Sequence, residues 1–251
     1  MKEIYILVLL ILIYIILRQY NILNYSNKII NKNDWLVVQY DNREFFEAFH
    51  NIEEFKYSDY KKLVNVNEKF CKENNYDYMF SSENYNISPY WIKVKIINDL
   101  INTPDSKYKG FIWLDTDAVI VNKNTRKNIK SIISDKSFYI APDHVKFTPN
   151  MLNCGSFFVK NTPEGKELMN KWMDGYDPKR WSKNGSSWST DGPWVGITYE
   201  QGYFNQVILP KYEDQIEILP WKYLQNDDPD DPETIITHFA GGYKETINKY
   251  Y

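Results

Sequence analysis

Two carboxylates separated by one residue stand directly after an apolar stretch of the chain. Residues 111–121 read FIWLDTDAVIV, so Asp115 and Asp117 follow four apolar residues. In an extended chain, side chains at positions i and i+2 point to the same side, so both carboxylates are expected to face one crevice. Like charges this close repel each other, and carboxylate oxygens suit Mg²⁺ or Mn²⁺. The pattern predicts a divalent cation that would hold a diphosphate.

A second group of polar residues follows an apolar stretch near the C-terminus. Residues 235–245 read IITHFAGGYKE, where His238 ends the apolar run and Gly241, Gly242 and Lys244 come after it. A neutral imidazole can bind a metal ion. A glycine turn lets the backbone approach an anion, and a lysine adds positive charge for a phosphate. The alternative is a histidine that ends a strand without binding anything.

Not every residue of these types indicates a site. Asp228-Pro229-Asp230 repeats the Asp-x-Asp spacing, but it lies in the stretch NDDPDDP and is expected to be a solvated acidic turn. His50 and His144 have no neighbours that would indicate a metal site, and we interpret both as ordinary histidines.

The elements that must position these residues alternate between strands and helices. Apolar runs predict strands at 35–40, 76–80, 111–114, 118–121, 138–141, 156–159, 216–219 and 235–239. Apolar residues at helical spacing predict helices at 60–73, 91–101, 163–174 and 199–208. This alternation is typical of an α/β fold with a doubly wound, mostly parallel sheet, which binds ligands at the carboxyl ends of its strands. Residues 177–196 are expected to form a long irregular loop.

Composition limits the class of protein. The 251 residues are 43% hydrophobic and 17% aromatic, which suits a packed globular domain, here placed at residues 34–251. The formal net charge of −3 argues against a nucleic-acid partner. The two cysteines, Cys71 and Cys154, are too few for a disulfide framework, although one bridge is possible.

The N-terminus is strongly apolar. Residues 4–17 read IYILVLLILIYIIL, and small residues suited to signal-peptide cleavage do not follow. We therefore predict an uncleaved signal anchor at residues 1–23 and a short polar stem at 24–33, with a cleaved signal peptide as the alternative. The expected protein is a single-pass type II membrane protein facing the lumen of the Golgi or endoplasmic reticulum. The flanking charges determine the orientation only weakly, because Lys2 lies on one side and Arg18, Lys28 and Lys32 lie on the other, and charge alone would favour the opposite insertion.

Tryptophans in the long loop indicate a sugar-binding surface. Trp181, Trp188 and Trp194 lie near Asp191, and indole faces pack well against the C–H surfaces of sugars. We predict that Trp194 and Asp191 contact a bound ligand that contains a sugar. The alternative is that these tryptophans attach the loop to the core, which is also the interpretation of Trp35, Trp91 and Trp113.

Several short motifs, taken in their order along the chain, resemble a known enzyme family. They are Tyr90-Trp91-Ile92-Lys93-Val94, Asp115-Thr116-Asp117, Asn153-Cys154-Gly155-Ser156-Phe157-Phe158 with Asn161, Glu200-Gln201, and His238-Phe239-Ala240-Gly241. Over residues 35–245 the chain resembles glycosyltransferase family 34, the galactosyl-, xylosyl- and mannosyltransferase group with a GT-A fold. The spacing of His238, Gly241 and Lys244 is also similar to glycosyltransferase family 8. Cys154 and Gly202 depart from the family pattern, which usually has Thr and an acidic residue there.

The resemblance implies a retaining glycosyltransferase, and the apolar N-terminus would add a membrane anchor. It would move a hexose or pentose from a nucleotide-diphospho-sugar, UDP-sugar in preference to GDP-sugar, to a hydroxyl of a glycan or glycoprotein, forming an α linkage. Asp115, Asp117 and His238 would hold Mn²⁺ or Mg²⁺, which stabilises the leaving diphosphate.

The resemblance also assigns roles to residues around the cation. Lys93 and Lys244 would neutralise diphosphate charge, with Gly241 beside the phosphates. Glu200 and Gln201 would stabilise positive charge on the sugar ring, as in glycoside hydrolysis. Asn153 would contact the donor sugar or turn the chain.

Two other functions fit parts of the sequence. Asp115-x-Asp117 also resembles the first motif of haloacid-dehalogenase-like phosphatases, in which Asp115 would be a nucleophile. That class leaves His238 and its glycines unexplained. A membrane-tethered, non-catalytic carbohydrate-binding protein is the third interpretation.

Overall fold

A computed structural model describes residues 33–42, 55–121, 129–143, 151–185, 187–241 and 247–251. The predicted anchor at residues 1–23 and the predicted stem, apart from Asn33, lie outside the described residues, as do His50, His144 and Lys244. Residues Asp34–Tyr251 form one compact unit. In the described part of the chain, no helix is both long enough and apolar enough to cross a membrane.

A six-stranded sheet with the order β2-β1-β3-β6-β5-β9 forms the centre of the fold. Its strands are β1 Trp35–Tyr40, β2 Asp77–Ser81, β3 Gly110–Leu114, β5 Phe138–Pro142, β6 Leu152–Lys160 and β9 Ile216–Ile218. β6 runs antiparallel to β3 and β5, and the other neighbouring pairs are parallel. The fold is therefore mixed α/β with a mostly parallel sheet.

Both faces of the sheet are covered, because its central strands are apolar on both sides. In β1, Leu36 and Val38 pack into one hydrophobic cluster, whereas Trp35 and Val37 pack into another on the opposite face. Strands buried on both faces read as continuous apolar runs, which is why the sequence predicts β1 with its observed bounds.

Helices supply the two covering layers. They are α1 Phe55–Glu73, α2 Pro89–Ile101, α3 Pro163–Met173, α4 Glu200–Tyr203, α5 Leu209–Tyr212, α6 Trp221–Leu224 and α7 Ile247–Tyr250. α2 and α3 pack on one face of the sheet, and α1 and α6 contribute to the other. A π-helical segment, Phe204–Ile208, joins α4 to α5. The helix predicted at 199–208 therefore forms, with an irregular turn in its second half.

Two short ribbons complete the described fold. β4 Ala118–Ile120 pairs antiparallel with β10 Ile236–His238, and β7 Trp181–Asn184 pairs antiparallel with β8 Ser187–Thr190. The prediction of an irregular loop at 177–196 is therefore wrong in part, because a hairpin forms inside it. Most residues of β7 and β8 are polar and partly exposed, so they carry no apolar strand signal.

The two cysteines lie on opposite sides of the sheet. Cys71 at the end of α1 belongs to one hydrophobic cluster and Cys154 in β6 to the other, and both are buried and free. The bridge that the sequence left open does not form, because the sheet separates the two thiols.

We expect neither cysteine to react with a thiol reagent in the folded protein. Burial raises the pKa of both thiols, so little of the nucleophilic thiolate is present at pH 8. Ellman's reagent should titrate no thiol in the native full-length chain and both after denaturation in guanidinium. Rapid titration of either thiol in buffer alone would contradict this description of the core.

Candidate active site

Asp115, Asp117 and His238 come together at the carboxyl end of β3. Each offers one ligand atom, and these atoms lie within 4.8 Å of one another. His238 Nε2 is 3.3 Å from Asp117 Oδ1. The imidazole is buried, and both carboxylates are half-buried. The arrangement brings two carboxylates and one imidazole together at one point.

The pairing of β4 with β10 produces this convergence. The antiparallel register places His238 opposite Ala118, and the amide of Phe239 donates to the carbonyl of Asp117 at 2.9 Å. Two segments distant in sequence are thus held side by side by backbone hydrogen bonds.

The two aspartates lie in a turn, and not in the extended strand assumed from the sequence. The amide of Ala118 donates to the carbonyl of Asp115 at 2.9 Å, which closes the turn. The hydroxyl of Thr116 donates to Asp41 Oδ2 at 3.0 Å, which anchors the middle residue of the turn to the end of β1. The carboxylates still share a side, but the turn and this anchor determine that outcome.

Two buried amides that the sequence analysis missed hold this turn. Gln39 Nε2 donates to the carbonyls of Asp115 and Ala118 at 3.1 and 3.4 Å. Asn67 Nδ2 donates to Gln39 Oε1 and to the carbonyl of Ala118, both at 3.0 Å, and Asn67 Oδ1 accepts from the amide of Ile120. No local pattern marks these residues, since Gln39 is a single polar residue in an apolar strand and Asn67 is one of many polar residues in α1.

Lys93 on α2 is the buried cation of the site. Its Nζ lies 2.9 Å from each carboxylate oxygen of Asp115, 3.4 Å from Glu200 Oε1 and 3.3 Å from the carbonyl of Cys154. Burial lowers the pKa of Lys93, but the two carboxylates outweigh burial and raise it above its usual value. The lysine stays charged, and its Nζ contacts the carboxylates of Asp115 and Glu200. Its role toward a diphosphate, implied by the resemblance, stays a prediction.

Glu200 is positioned by tryptophans of the core. Its carbonyl accepts from Trp172 Nε1 at 2.9 Å, and the nearby carbonyl of Thr198 accepts from Trp91 Nε1 at 2.8 Å. Burial raises the pKa of Glu200, the charge of Asp115 adds to this, and Lys93 opposes it. Trp91 is thus a core residue, as predicted, that also fixes the backbone of the site.

Gln201 and Asn153 lie against the same end of β6. Gln201 Oε1 accepts from the amide of Cys154 at 3.3 Å. Asn153 Oδ1 accepts from the amide of Gly155 at 2.7 Å, and its Nδ2 donates to Asp143 at 3.0 Å. These bonds favour the second of the two roles considered for Asn153, which is to shape the chain.

Trp194 is exposed beside the site. Its side chain is 63% exposed, and its ring centroid lies 5.4 Å from that of Tyr90 and 5.0 Å from that of Tyr199. Tyr90 is on the helix of Lys93, and Tyr199 precedes Glu200, so the aromatic cluster borders the charged residues. Asp191 is exposed in the same loop.

Close backbone packing explains why a glycine occupies position 202. A Cβ atom added to Gly202 would lie 2.0 Å from the carbonyl oxygen of Gly196 and 2.2 Å from that of Val195. The loop therefore rests directly on α4. An acidic side chain, usual in the family at this position, has no room here.

The remaining predicted residues divide into two groups. Gly241 is exposed with φ of +58°, a conformation that favours glycine, and Lys244 lies outside the described residues. Asp228 and Asp230 are exposed in a turn in which the amide of Asp230 donates to Asp228 Oδ1 at 2.9 Å. The interpretation of this second Asp-x-Asp as a solvated turn is confirmed.

The donor set fits a divalent cation. Two carboxylates and one imidazole offer hard oxygen ligands together with a nitrogen ligand, a mixture that suits Mn²⁺ better than Mg²⁺. The imidazole presents Nε2 to Asp117 Oδ1, so Nε2 is the ring nitrogen placed to act as a ligand.

Comparison with known proteins identifies the chain as a glycosyltransferase. The chain is similar to the crystal structure of a glycosyltransferase involved in the glycosylation of the major capsid of PBCV-1, with a TM-score of 0.60 and 15% identity over 86% of this chain and 98% of that chain. This likeness establishes the fold. The sequence at residues 47–192, more than half of the chain, matches the galactosyl transferase GMA12/MNN10 family, glycosyltransferase family 34, and the chain belongs to that family.

More distant similarities add no argument. The catalytic domain of Drosophila beta1,4-galactosyltransferase 7 in complex with xylobiose has a TM-score of 0.46, with 13% identity over 86% of this chain and 79% of that chain. A mutant of that enzyme in complex with manganese, UDP-Gal and xylobiose has a TM-score of 0.43, with 13% identity over 84% and 73%. No curated protein sequence matches the chain significantly. Family membership contradicts the phosphatase interpretation of the sequence and supports a transferase over a non-catalytic protein.

We expect removal of the buried cation to destabilise the protein strongly. Lys93→Met leaves Asp115 and Glu200 without their shared counter-charge, which should cost about 3–5 kcal/mol of unfolding free energy. The matched control is Lys95→Met on the same helix, which removes a surface pair with Asp99 and should change stability by less than about 1 kcal/mol. Urea denaturation followed by tryptophan fluorescence measures both.

A second variant identifies the cause. Adding Glu200→Gln to Lys93→Met removes one of the uncompensated charges and should recover part of the lost stability. Equal effects of Lys93→Met and Lys95→Met would mean that the buried charge cluster does not need this lysine.

Proposed function

We propose that this protein is a metal-dependent, retaining glycosyltransferase. It transfers a hexose or pentose from a nucleotide-diphospho-sugar to a hydroxyl of a glycan or glycoprotein acceptor and forms an α linkage. The observation that carries the proposal is the convergence of Asp115, Asp117 and His238 in a chain of this family. A divalent cation bound there, Mn²⁺ in preference to Mg²⁺, supplies positive charge that stabilises the departing nucleoside diphosphate.

The protein's own groups orient this reaction. Lys93 contacts both oxygens of Asp115, and Trp113 Nε1 donates to Asp115 Oδ1 at 2.7 Å, so this carboxylate is held in one orientation. Because the ligand is fixed before the donor binds, less freedom is lost on binding. Gly241, exposed with a positive φ, gives the donor phosphates a close approach to the backbone.

Glu200 and Gln201 supply negative and polar groups for the sugar. As the bond to the diphosphate opens, positive charge develops on the ring. The Gln201 amide and the Glu200 carboxylate stabilise this charge without reorganising, since Gln201 Oε1 already accepts from the amide of Cys154 and the carboxylate already pairs with Lys93. The acceptor hydroxyl then attacks from the side that the diphosphate leaves, and its proton passes to a phosphate oxygen. This course retains the configuration of the sugar.

The donor nucleotide and the cellular setting follow from the family resemblance and the N-terminal sequence. We propose a UDP-sugar in preference to a GDP-sugar. We also propose that residues 1–23 anchor the protein in the membrane as a single-pass type II protein, with the catalytic domain in the lumen of the Golgi or endoplasmic reticulum.

Slow hydrolysis of the donor tests the proposed reaction without an identified acceptor. The full-length chain in Mn²⁺ should release nucleoside diphosphate from a UDP-sugar, and chelation by EDTA should abolish the release. Asp117→Asn removes a ligand charge and should lower the rate by about 100-fold or more, the equivalent of about 3 kcal/mol. Coupled detection of the released diphosphate measures the rate.

Asp230→Asn is the matched control, since it changes an aspartate of the exposed Asp-x-Asp turn and should leave the rate unchanged. Panels of UDP- and GDP-sugars establish the nucleotide. If no nucleotide sugar is hydrolysed and none raises the melting temperature in Mn²⁺, the proposed function is wrong.

Trp194 should contribute to binding of the sugar and not to the chemical step. Loss of one stacking surface in Trp194→Ala should raise KM for the nucleotide sugar about tenfold and leave kcat within about threefold. Trp221→Ala, which removes another exposed tryptophan, should change neither constant. Steady-state hydrolysis kinetics distinguish the two parameters, and an unchanged KM in Trp194→Ala would assign this indole to another role.

A further inference from the structure

The two ring nitrogens of His238 face different partners. Nε2 faces Asp117 Oδ1, and Nδ1 lies 2.5 Å from Gln225 Oε1. Gln225 lies just after α6, in the segment that runs beside β10, where the amide of His238 donates to the carbonyl of Asn226 at 3.0 Å. Both side chains of this contact are about 95% buried, since each is 5% exposed.

The hydrogen bonds of Gln225 continue into β6. Gln225 Nε2 is 3.0 Å from Ser156 Oγ, and Ser156 Oγ is 2.9 Å from the carbonyl of Leu224. Ser156 is fully buried. The four groups therefore form one chain of hydrogen bonds that ends at the imidazole.

The direction of every hydrogen bond in this chain follows from the carbonyl of Leu224, at the end opposite the imidazole. A carbonyl can only accept, so the hydroxyl of Ser156 gives its proton to Leu224 and offers lone pairs to Gln225. Gln225 must then turn its NH₂ group to Ser156 and its carbonyl oxygen to His238. An amide oxygen accepts, so Nδ1 of the imidazole must carry the ring proton. In the neutral ring, the lone pair is consequently on Nε2, the nitrogen that faces Asp117.

Gly155 fixes the ring from another side. A Cβ atom at this position would lie 2.2 Å from His238 Cε1 and 2.7 Å from Nε2, so the imidazole occupies space that any other residue would fill. The ring is thus confined by contact with Gly155 and by its bond to Gln225.

We propose that Gln225 is a positioning residue that holds His238 in the Nδ1-protonated tautomer and so directs the Nε2 lone pair at the cation site. The inference rests on the proposed function, in which His238 ligates the cation. The proposal is based on the chain of hydrogen-bond donors and acceptors. Ser156 orients the amide of Gln225, and Gly155 leaves room for the imidazole.

The first test is metal affinity in the full-length chain. Gln225→Met keeps a similar side-chain volume but removes the acceptor, and it should weaken Mn²⁺ binding about 10- to 100-fold. Gln225→Glu keeps an acceptor oxygen for Nδ1–H. Because the acceptor is retained, its affinity for Mn²⁺ should stay within about threefold of that of the wild-type protein. Gln206→Met, a substitution at an exposed glutamine, is the control and should have no effect. Electron paramagnetic resonance of free Mn²⁺ gives each Kd.

The second test reads the tautomer directly and needs no metal. The chain has three histidines, so ¹⁵N-histidine labelling gives few signals, and His238→Ala identifies the relevant one. Without metal, at a pH where the ring is neutral, Nδ1 of wild-type His238 should have the shift of a protonated nitrogen and Nε2 that of an unprotonated one. Gln225→Met should lose this pattern, whereas Gln225→Glu should keep it.

The outcomes separate the two proposals. A wild-type ring protonated at Nε2 overturns the positioning role, and so does a folded Gln225→Met protein with unchanged Mn²⁺ affinity. If Gln225→Met does not fold, the wild-type spectrum and the Gln225→Glu variant still test the positioning role. The expected tautomer without any Mn²⁺ binding would contradict the proposed metal dependence and leave the positioning of the ring supported.

Discussion

Negative charge collects where β3 ends, and much of the surrounding structure balances it. Asp115 and Glu200 share Lys93, whose burial would be unfavourable without them and whose loss would leave both uncompensated. Asp117 turns instead toward His238. The lysine therefore balances one side of the cluster, and the carboxylate of Asp117 and the imidazole of His238 occupy the other side.

The hydrophobic core and the site are built from the same side chains. Trp91, Trp113 and Trp172 bury their rings in the core, yet each indole N–H reaches the site, either a backbone carbonyl near Glu200 or the carboxylate of Asp115. A large apolar ring with one polar edge suits this position, because packing fixes the ring and the ring then fixes the hydrogen bond. The rigidity of the site is thus a consequence of core packing.

Local signals in the sequence predicted most of the regular elements. The central strands are long apolar runs, and α2 and α3 carry apolar residues at helical spacing. Because these elements are buried, their apolar patterns are visible in the sequence and predict them. The polar hairpin at Trp181–Thr190 was missed because its half-exposed strands lack that signal. Gln39, Asn67 and Gln225 were missed for another reason, since a single buried amide leaves no repeated pattern.

By itself, the sequence determined which residues could bind a cation and a diphosphate, because carboxylate, imidazole and glycine each carry their chemistry wherever they lie. It also determined the α/β class through the alternation of apolar runs. The tertiary structure alone decided that β10 pairs with β4, that Lys93 contacts Asp115 and Glu200, and which nitrogen of His238 faces the carboxylates. These features depend on hydrogen bonds and packing between segments far apart in the chain, and such contacts leave no trace in local spacing.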